Sequence, residues 1–265
     1  MLFNIGDYVS RNSHQNDILF KIIDIKENIA YLKGVNIRLI ADSNINDLRK
    51  EIHEEIEDDD KITKQLNNEI NLERNEFFYL PGKILHIDGD SSYLKRCLKL
   101  YKKLKIMAYG VSLKESEIVN NIYSYLEEIN PDIVVITGHD AYYNKRNNKS
   151  KTNQYKNSEN FKQAIIEARK YEKSQEKLII IAGACQSNYE ELIKAGANFA
   201  SSPKRINIHA LDPAIVASLI ALSNKNESIN LMKIINSTKY KEEGIGGIIT
   251  NGTMYVGYPR WIYLK

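Results

Sequence analysis

Cysteine is nearly missing from this chain. Cys97 and Cys185 are the only two among 265 residues, which rules out a disulfide framework as the source of stability. Long apolar runs are missing as well, since no stretch approaches the ~20 residues needed to span a bilayer. The start, Met1-Leu2-Phe3-Asn4-Ile5-Gly6-Asp7, has neither the basic head nor the apolar centre of a signal peptide, so export by that route is not expected. Charge of one sign is not in excess either. Thirty-seven basic against 34 acidic residues leave +3, too little to imply a nucleic-acid partner or to favour any one function. No group of His, Cys, Asp and Glu has metal-ligand spacing, and the glycines form neither a Rossmann fingerprint nor a P-loop, so no cofactor is indicated.

What is present is a soluble, globular composition, 43% hydrophobic and 27% charged, long enough for one sizeable α/β domain and a smaller unit. Residues 1–43 carry short β-patterned runs at Gly6–Val9, Ile18–Ile25, Ile29–Gly34 and Ile37–Ile40, separated by Asn and Gly turns. That spacing predicts a small SH3-like barrel, either a scaffold or a docking module. Residues 44–76 are a dense mix of Glu, Asp, Lys and Asn, including Glu54-Glu55-Ile56-Glu57-Asp58-Asp59-Asp60, and predict a solvated helix or flexible linker.

From 77 to 265 strand and helix patterns alternate. Strands are expected at Lys83–Asp88, Ile106–Leu113, Asp132–Gly138, Leu178–Ala182 and Asn198–Ser201. Helices are expected at Ser91–Lys103, Glu115–Ile129, Asn160–Tyr171, Tyr189–Ala195, Pro213–Leu222 and Leu231–Lys239, with a terminal hairpin over Gly244–Tyr258. The alternation implies a mostly parallel sheet flanked by helices. Two of its strands are continuous β-branched runs that end beside a reactive side chain, His139 after Ile133-Val134-Val135-Ile136-Thr137-Gly138 and Cys185 after Ile179-Ile180-Ile181-Ala182-Gly183-Ala184. Carboxyl ends of parallel strands are where α/β proteins keep their sites.

A thiol attacks a carbonyl efficiently as a thiolate or with an imidazole to manage the proton, so His139 and Cys185 suit covalent catalysis if their strands are neighbours. An inert buried thiol would also suit the end of an apolar strand. Cys97 lies on a leucine face and reads as core, His86 as a packing residue within its strand. His14 and His53 fall in a turn and in the linker. His209 either lines a cleft or caps a helix. A flavodoxin-like or receiver-like binding module would share the strand order and use Asp88 and Asp90 as a cation or phosphate-relay site, but would not call for the thiol and imidazole. A structural coat protein would tolerate the basic, tyrosine-containing surface without needing a covered sheet.

The segments Gly138-His139-Asp140 and Gly183-Ala184-Cys185-Gln186 resemble the His…Cys arrangement of caspase-like cysteine peptidases. The chain as a whole looks like the YabG family of sporulation peptidases, through Asn4-Ile5-Gly6-Asp7, Arg38–Ser43, Pro81-Gly82-Lys83, Asp88-Gly89-Asp90, Ile136–Tyr142, Ala182–Ser187, Ala195–Pro203 and Ile208–Pro213. The resemblance implies a caspase-like cysteine endopeptidase, made in the mother-cell cytoplasm during sporulation and associated with the forming coat. It would trim spore-coat and related proteins after basic residues and cleave itself, with no cofactor, and its N-terminal barrel would dock a coat partner. His139 and Cys185 would form the dyad. Caspase-like enzymes usually place Gly after the histidine; here Asp140 follows, and its backbone N–H with that of Cys185 would form the oxyanion hole. Position 183 is Gly rather than an acid, so the carboxylate for a substrate arginine must come from elsewhere. Asp88 and Asp212 lead, followed by Asp90 and Asp140, with helix N-capping the competing role for Asp90 and Asp212. Self-cleavage is expected after Arg49 or Arg74 in the linker, then Arg146 in the polar, basic stretch Asn144–Lys156.

Overall fold

The computed structural model describes residues 3–52, 57–69, 76–143 and 154–260. The chain divides into two compact units, Met1–Asp58 and Asp59–Lys265.

The first unit is an antiparallel sheet of five strands, β1 (Tyr8–Arg11), β2 (Phe20–Lys26), β3 (Ile29–Gly34), β4 (Ile40–Asn44) and β5 (Leu48–Lys50). Their order is β4-β3-β2-β1-β5. Apolar residues alternate along the strands, as a sheet covered on one face requires, and Val9, Phe20, Ile22, Ala30, Leu32 and Leu48 form the core. Among the described residues β4 and β5 are not paired to each other, so the unit is an open five-stranded sheet, and the expected SH3-like barrel does not close. It also runs on to Lys50, past residue 43, because Leu48 turns inward beneath Val9 while β5 ladders onto β1.

The charged stretch that follows holds a helix, α1 (Glu57–Glu69). It is more than a solvated connector. Leu66 is buried within the large core of the second unit, a burial that stabilises by about 1.5–3 kcal/mol, and Asp59 pairs in a fork with Arg96, at 2.7 and 3.0 Å.

The second unit is built on six strands, β7 (Ile84–Asp88), β8 (Ala108–Ser112), β9 (Ile133–Thr137), β10 (Ile179–Ala182), β11 (Phe199–Ser201) and β12 (Ile245–Gly247), preceded by β6 (Phe78–Leu80). They lie in the order β12-β11-β10-β9-β7-β8 and are parallel except for β12. Strands β7, β9 and β10 are buried at every position, which is why they read as unbroken apolar runs. One face packs on α2 (Ser91–Lys103), α6 (Asp212–Ala221) and α7 (Leu231–Asn236). The other packs on α3 (Glu115–Ile129), α4 (Ser158–Tyr171) and α5 (Tyr189–Lys194). The helices present the apolar spacing this needs: Ile118, Ile122 and Leu126 line α3, and α6, buried at all ten positions, is apolar almost all round. The terminal hairpin is not formed. β12 joins the main sheet against β11, while β13 (Tyr255–Gly257) pairs with β6. Each strand finds a longer-range edge in place of its sequence neighbour.

The chain order reverses between β7 and β9: β8 continues outward on one side, and β10 and β11 follow on the other. Such a switch point opens a crevice at the carboxyl ends of the strands.

Candidate active site

Three strand ends meet at that crevice. At the end of β7, Asp88 is fully buried and accepts from the Asp90 N–H at 2.9 Å. Asp90 caps α2: its Oδ1 accepts from Ser92 N (2.9 Å), Ser92 Oγ (2.7 Å) and Tyr93 N (3.3 Å), the satisfaction that a helix start needs. Its Oδ2 faces a different partner, His139 Nε2 at 2.9 Å. Behind it, His86 Nδ1 meets the Tyr101 hydroxyl at 2.9 Å, in keeping with a packing role.

At the end of β9 the backbone of His139 is fixed on both sides. Its N–H donates to Glu115 Oε1 at 2.8 Å, and its carbonyl accepts from Asn157 Nδ2 at 2.8 Å. Glu115 reaches this point because residue 138 is glycine; a Cβ there would lie 2.5 Å from Oε1. The Tyr93 ring flanks the imidazole, with centroids 5.8 Å apart. Asp140, next in the chain, is buried and accepts from Ala141 N, Asn157 N, Ser158 Oγ and Ser187 Oγ, at 2.9, 2.7, 2.5 and 2.9 Å. Burial pushes its carboxyl above the ordinary range, opposed by these four donors.

At the end of β10 the chain turns through Gly183, with φ +101°, a left-handed conformation suited to glycine. Ala184 N donates to Ser187 Oγ at 2.9 Å, so Asp140, through Ser187, ties the cysteine loop to the histidine strand. Cys185 is fully buried. Its Sγ receives the Ile208 N–H at 3.2 Å and lies 3.9 Å from the Ile208 carbonyl. Gln186 continues the attachment, donating from its N–H to Ile206 O at 3.0 Å and accepting from Tyr142 N at 3.1 Å. Cys97 is core, against Ala210 O at 3.7 Å.

The pairing register brings His139 and Cys185 to the same end of the sheet. Forty-six residues separate Ile136 from its β10 partner Ala182, and the same forty-six separate His139 from Cys185. Parallel strands run about 4.8 Å apart, so the two segments leave the sheet side by side. Thr137 Oγ1 donates across the gap to Gly183 O at 2.9 Å. Among the described residues the hydrogen-bond partners of His139 are Asp90, Glu115 and Asn157; in this state the ring and the thiol are not bonded to each other. Asp212, at the start of α6, accepts from His209 N at 3.0 Å and Lys239 N at 2.9 Å. His209 is buried beside it, with Nδ1 accepting from Leu211 N at 3.2 Å. Glu115, Asn157 and Ser158 gave no motif in sequence, while Ser187 and Ile208 lie in family-like segments that assign them no role. Glu115 reads there only as an acid favoured in the first turn of a helix.

Imidazole, thiol and carboxylate at the switch point of a parallel sheet fit the class that the comparisons define, a peptidase. A family model described as YabG peptidase U57 matches residues 4–259. The sporulation-specific protease YabG of Bacillus subtilis (strain 168) is 40% identical over 286 aligned residues, covering 98% of this chain and 99% of that protein. The chain belongs to the YabG peptidase U57 family. No solved structure matches it at a significant level. Among the described residues, no helix is long and apolar enough to cross a membrane.

Proposed function

We propose that this chain is a cysteine endopeptidase of sporulation that cuts spore-coat and related proteins after arginine, in the mother cell at the forming coat, and that it also cuts itself. The observation that supports the reading is that β9 and β10 are paired neighbours, and that His139 and Cys185 follow their carboxyl ends at the same 46-residue offset as the paired Ile136 and Ala182. The name of the Bacillus subtilis relative supports the setting, and membership in a peptidase family favours an enzyme over a binding module or a passive coat component.

In this reading Cys185 Sγ attacks the scissile carbonyl while His139 takes the thiol proton and returns it to the departing amine. Water then hydrolyses the thioester. The backbone N–H groups of Asp140 and Cys185 hold the oxyanion; that of Asp140 has no acceptor among the described residues. Asp90 is engaged with His139 and its own helix, which leaves Asp88 and Asp212 for the substrate guanidinium. Both already take backbone donors, and Asp88 also lies 3.6 Å from His86 Nε2, so a guanidinium would compete with these partners. Cys185, Asp88 and Asp212 are all closed to solvent. Substrate entry therefore includes a shift of the segment around Ile206–Ala210 that grips the thiol. Self-cleavage belongs to Arg74 and Arg146, both outside the described residues, ahead of Arg49, whose backbone is laddered to Ser10 in β5. The N-terminal sheet docks a coat partner, beside a surface hollow lined by Phe3, Ile45, Leu48, Arg49 and Lys50.

The test incubates the wild-type protein and Cys185→Ala with candidate coat proteins and reads the new termini by mass spectrometry. Fragments ending in arginine from the wild type alone are expected. Equal cleavage by both proteins would overturn the reading.

A further inference from the structure

The His139 ring is held by one nitrogen. Nε2 lies 2.9 Å from Asp90 Oδ2, while Nδ1 is buried with no hydrogen-bond partner among the described residues. A buried polar atom left without a partner costs free energy, and in native structures it calls for a reason. From the Cys185/His139 reading above, we infer that Asp90 is the positioning carboxylate of the site. By accepting the Nε2 proton it fixes the His139 tautomer and makes Nδ1 the atom that exchanges protons with Cys185 and the leaving amine.

The placement of Asp90 is determined before His139 is considered. Three donors on Oδ1, from Ser92 N, Ser92 Oγ and Tyr93 N, orient the side chain, and the Asp90 N–H is itself held by Asp88 Oδ1. The Asp90 carboxylate sits at the amino end of the 13-residue helix α2, where both of its oxygens act as acceptors. The hydrogen in the Asp90–His139 contact therefore belongs to Nε2, and the lone pair of the neutral ring belongs to Nδ1. The backbone clamps at Glu115 and Asn157 prevent the whole residue from swinging away. A half-turn of the ring about its Cβ–Cγ bond would put carbon against Asp90 and lose the hydrogen bond. Around the residue the charged groups divide by direction: Asp90 faces Nε2, Glu115 faces the backbone N–H, and Asp140 is turned to Ser158 and Ser187.

The proton balance then closes without a further reactant. As the Sγ–C bond forms, the thiol proton moves to Nδ1 and the carbonyl electron pair moves to oxygen; the ring becomes an imidazolium whose positive charge faces Asp90. When the C–N bond breaks, the carbonyl re-forms and the amine nitrogen takes the proton from Nδ1. Water attacks the thioester in the same way, giving its proton to Nδ1, from which it passes to the departing sulfur.

Two measurements test this on the full chain. Asparagine caps helices about as well as aspartate, so Asp90→Asn keeps the start of α2. Its kcat on an arginyl peptide should fall by roughly 10²–10⁴-fold, with KM within about threefold, as expected when a histidine loses its orienting carboxylate. A raised KM with unchanged kcat would make Asp90 a substrate-binding acid and overturn the proposal, as would kcat within threefold of the wild type. Independently, ¹⁵N NMR of histidine-labelled Cys185→Ala, with His139 assigned by loss of its signals in His139→Gln, should show the Nε2–H tautomer. An Nδ1–H signal overturns the proposal. This measurement is made with Asp90 in place, so it decides even if Asp90→Asn fails to fold. It is also separate from the dyad reading, which falls instead if Cys185→Ala retains turnover.

Discussion

The ends of β9 and β10 hold His139 and Cys185 by different means. His139 is set by side chains: Glu115 on its N–H, Asn157 on its carbonyl, Asp90 on its ring. Cys185 is set by backbone, between the N–H and carbonyl of Ile208 and after a left-handed turn at Gly183. Asp140 links the two, gripping the start of α4 on one side and Ser187 of the cysteine loop on the other. Side-chain scaffolding is open to substitution one atom at a time, whereas backbone scaffolding responds only to changes that move the chain. The two halves of the site should therefore fail differently.

The largest effect is expected from removing the proposed reacting groups. Cys185→Ala and His139→Ala should each lower turnover by about 10⁵–10⁶-fold, the loss expected when a nucleophile or its acid/base partner is deleted, with unchanged circular dichroism. Near-wild-type turnover by either variant would dissolve the comparison, since the two ends would not form one site.

Next comes the link between them. Asp140→Ala leaves two backbone N–H groups and two serine hydroxyls without their shared acceptor. It should destabilise the protein by about 2–4 kcal/mol, a fall of roughly 5–15 °C in Tm for a unit of this size, and lower kcat by about 100-fold through misplacement of the cysteine loop. A variant with unaltered Tm would show that the histidine and cysteine segments are held independently. The third change tests the backbone-held end alone. Gly183→Ala forces a side chain into a φ of +101°, with its Cβ 2.9 Å from Leu192. A cost of about 1–3 kcal/mol is expected, together with slower thioester formation in a burst experiment. An alanine variant as stable and active as the wild type would mean that the turn relaxes without moving Cys185.

Much of this architecture is legible in the sequence, and the reasons lie in particular residues. The runs Ile133–Thr137 and Ile179–Ala182 announce strands covered on both faces, and they are buried at every position. Helices α2, α3 and α6 follow from apolar spacing, and the N-cap at Asp90 from residue type. What escaped depends on pairing at a distance. Gly244–Tyr258 has hairpin composition, but its strands pair with Phe199–Ser201 and Phe78–Leu80, choices that local pattern does not encode. The five N-terminal strands look the same in sequence whether their edges meet or not. Leu66 sits in a stretch dominated by charge, so one buried residue on α1 was masked by its neighbours. In the site, the contact between Asp90 and His139 crosses 49 positions, and the same Asp serves as a helix cap, which hid its second role.

The smallest effect belongs to Glu115, and it separates charge from geometry at the side-chain-held end. Oε1 receives the His139 N–H at 2.8 Å against Gly138. Glutamine keeps an oxygen acceptor of the same reach, so Glu115→Gln should retain kcat within about threefold if the residue acts by position alone. Glu115→Ala removes the acceptor and leaves the His139 N–H to water or to nothing, a loss of about 1 kcal/mol of restraint, equivalent to a fall of about fivefold in kcat. The ratio of the two variants is the informative quantity. If Gln falls as far as Ala, the negative charge at α3 contributes to the reaction, and the end of β9 is organised by electrostatics beyond its hydrogen bonds. If neither falls, Asp90 and Asn157 suffice to hold His139, and the brace from α3 is dispensable.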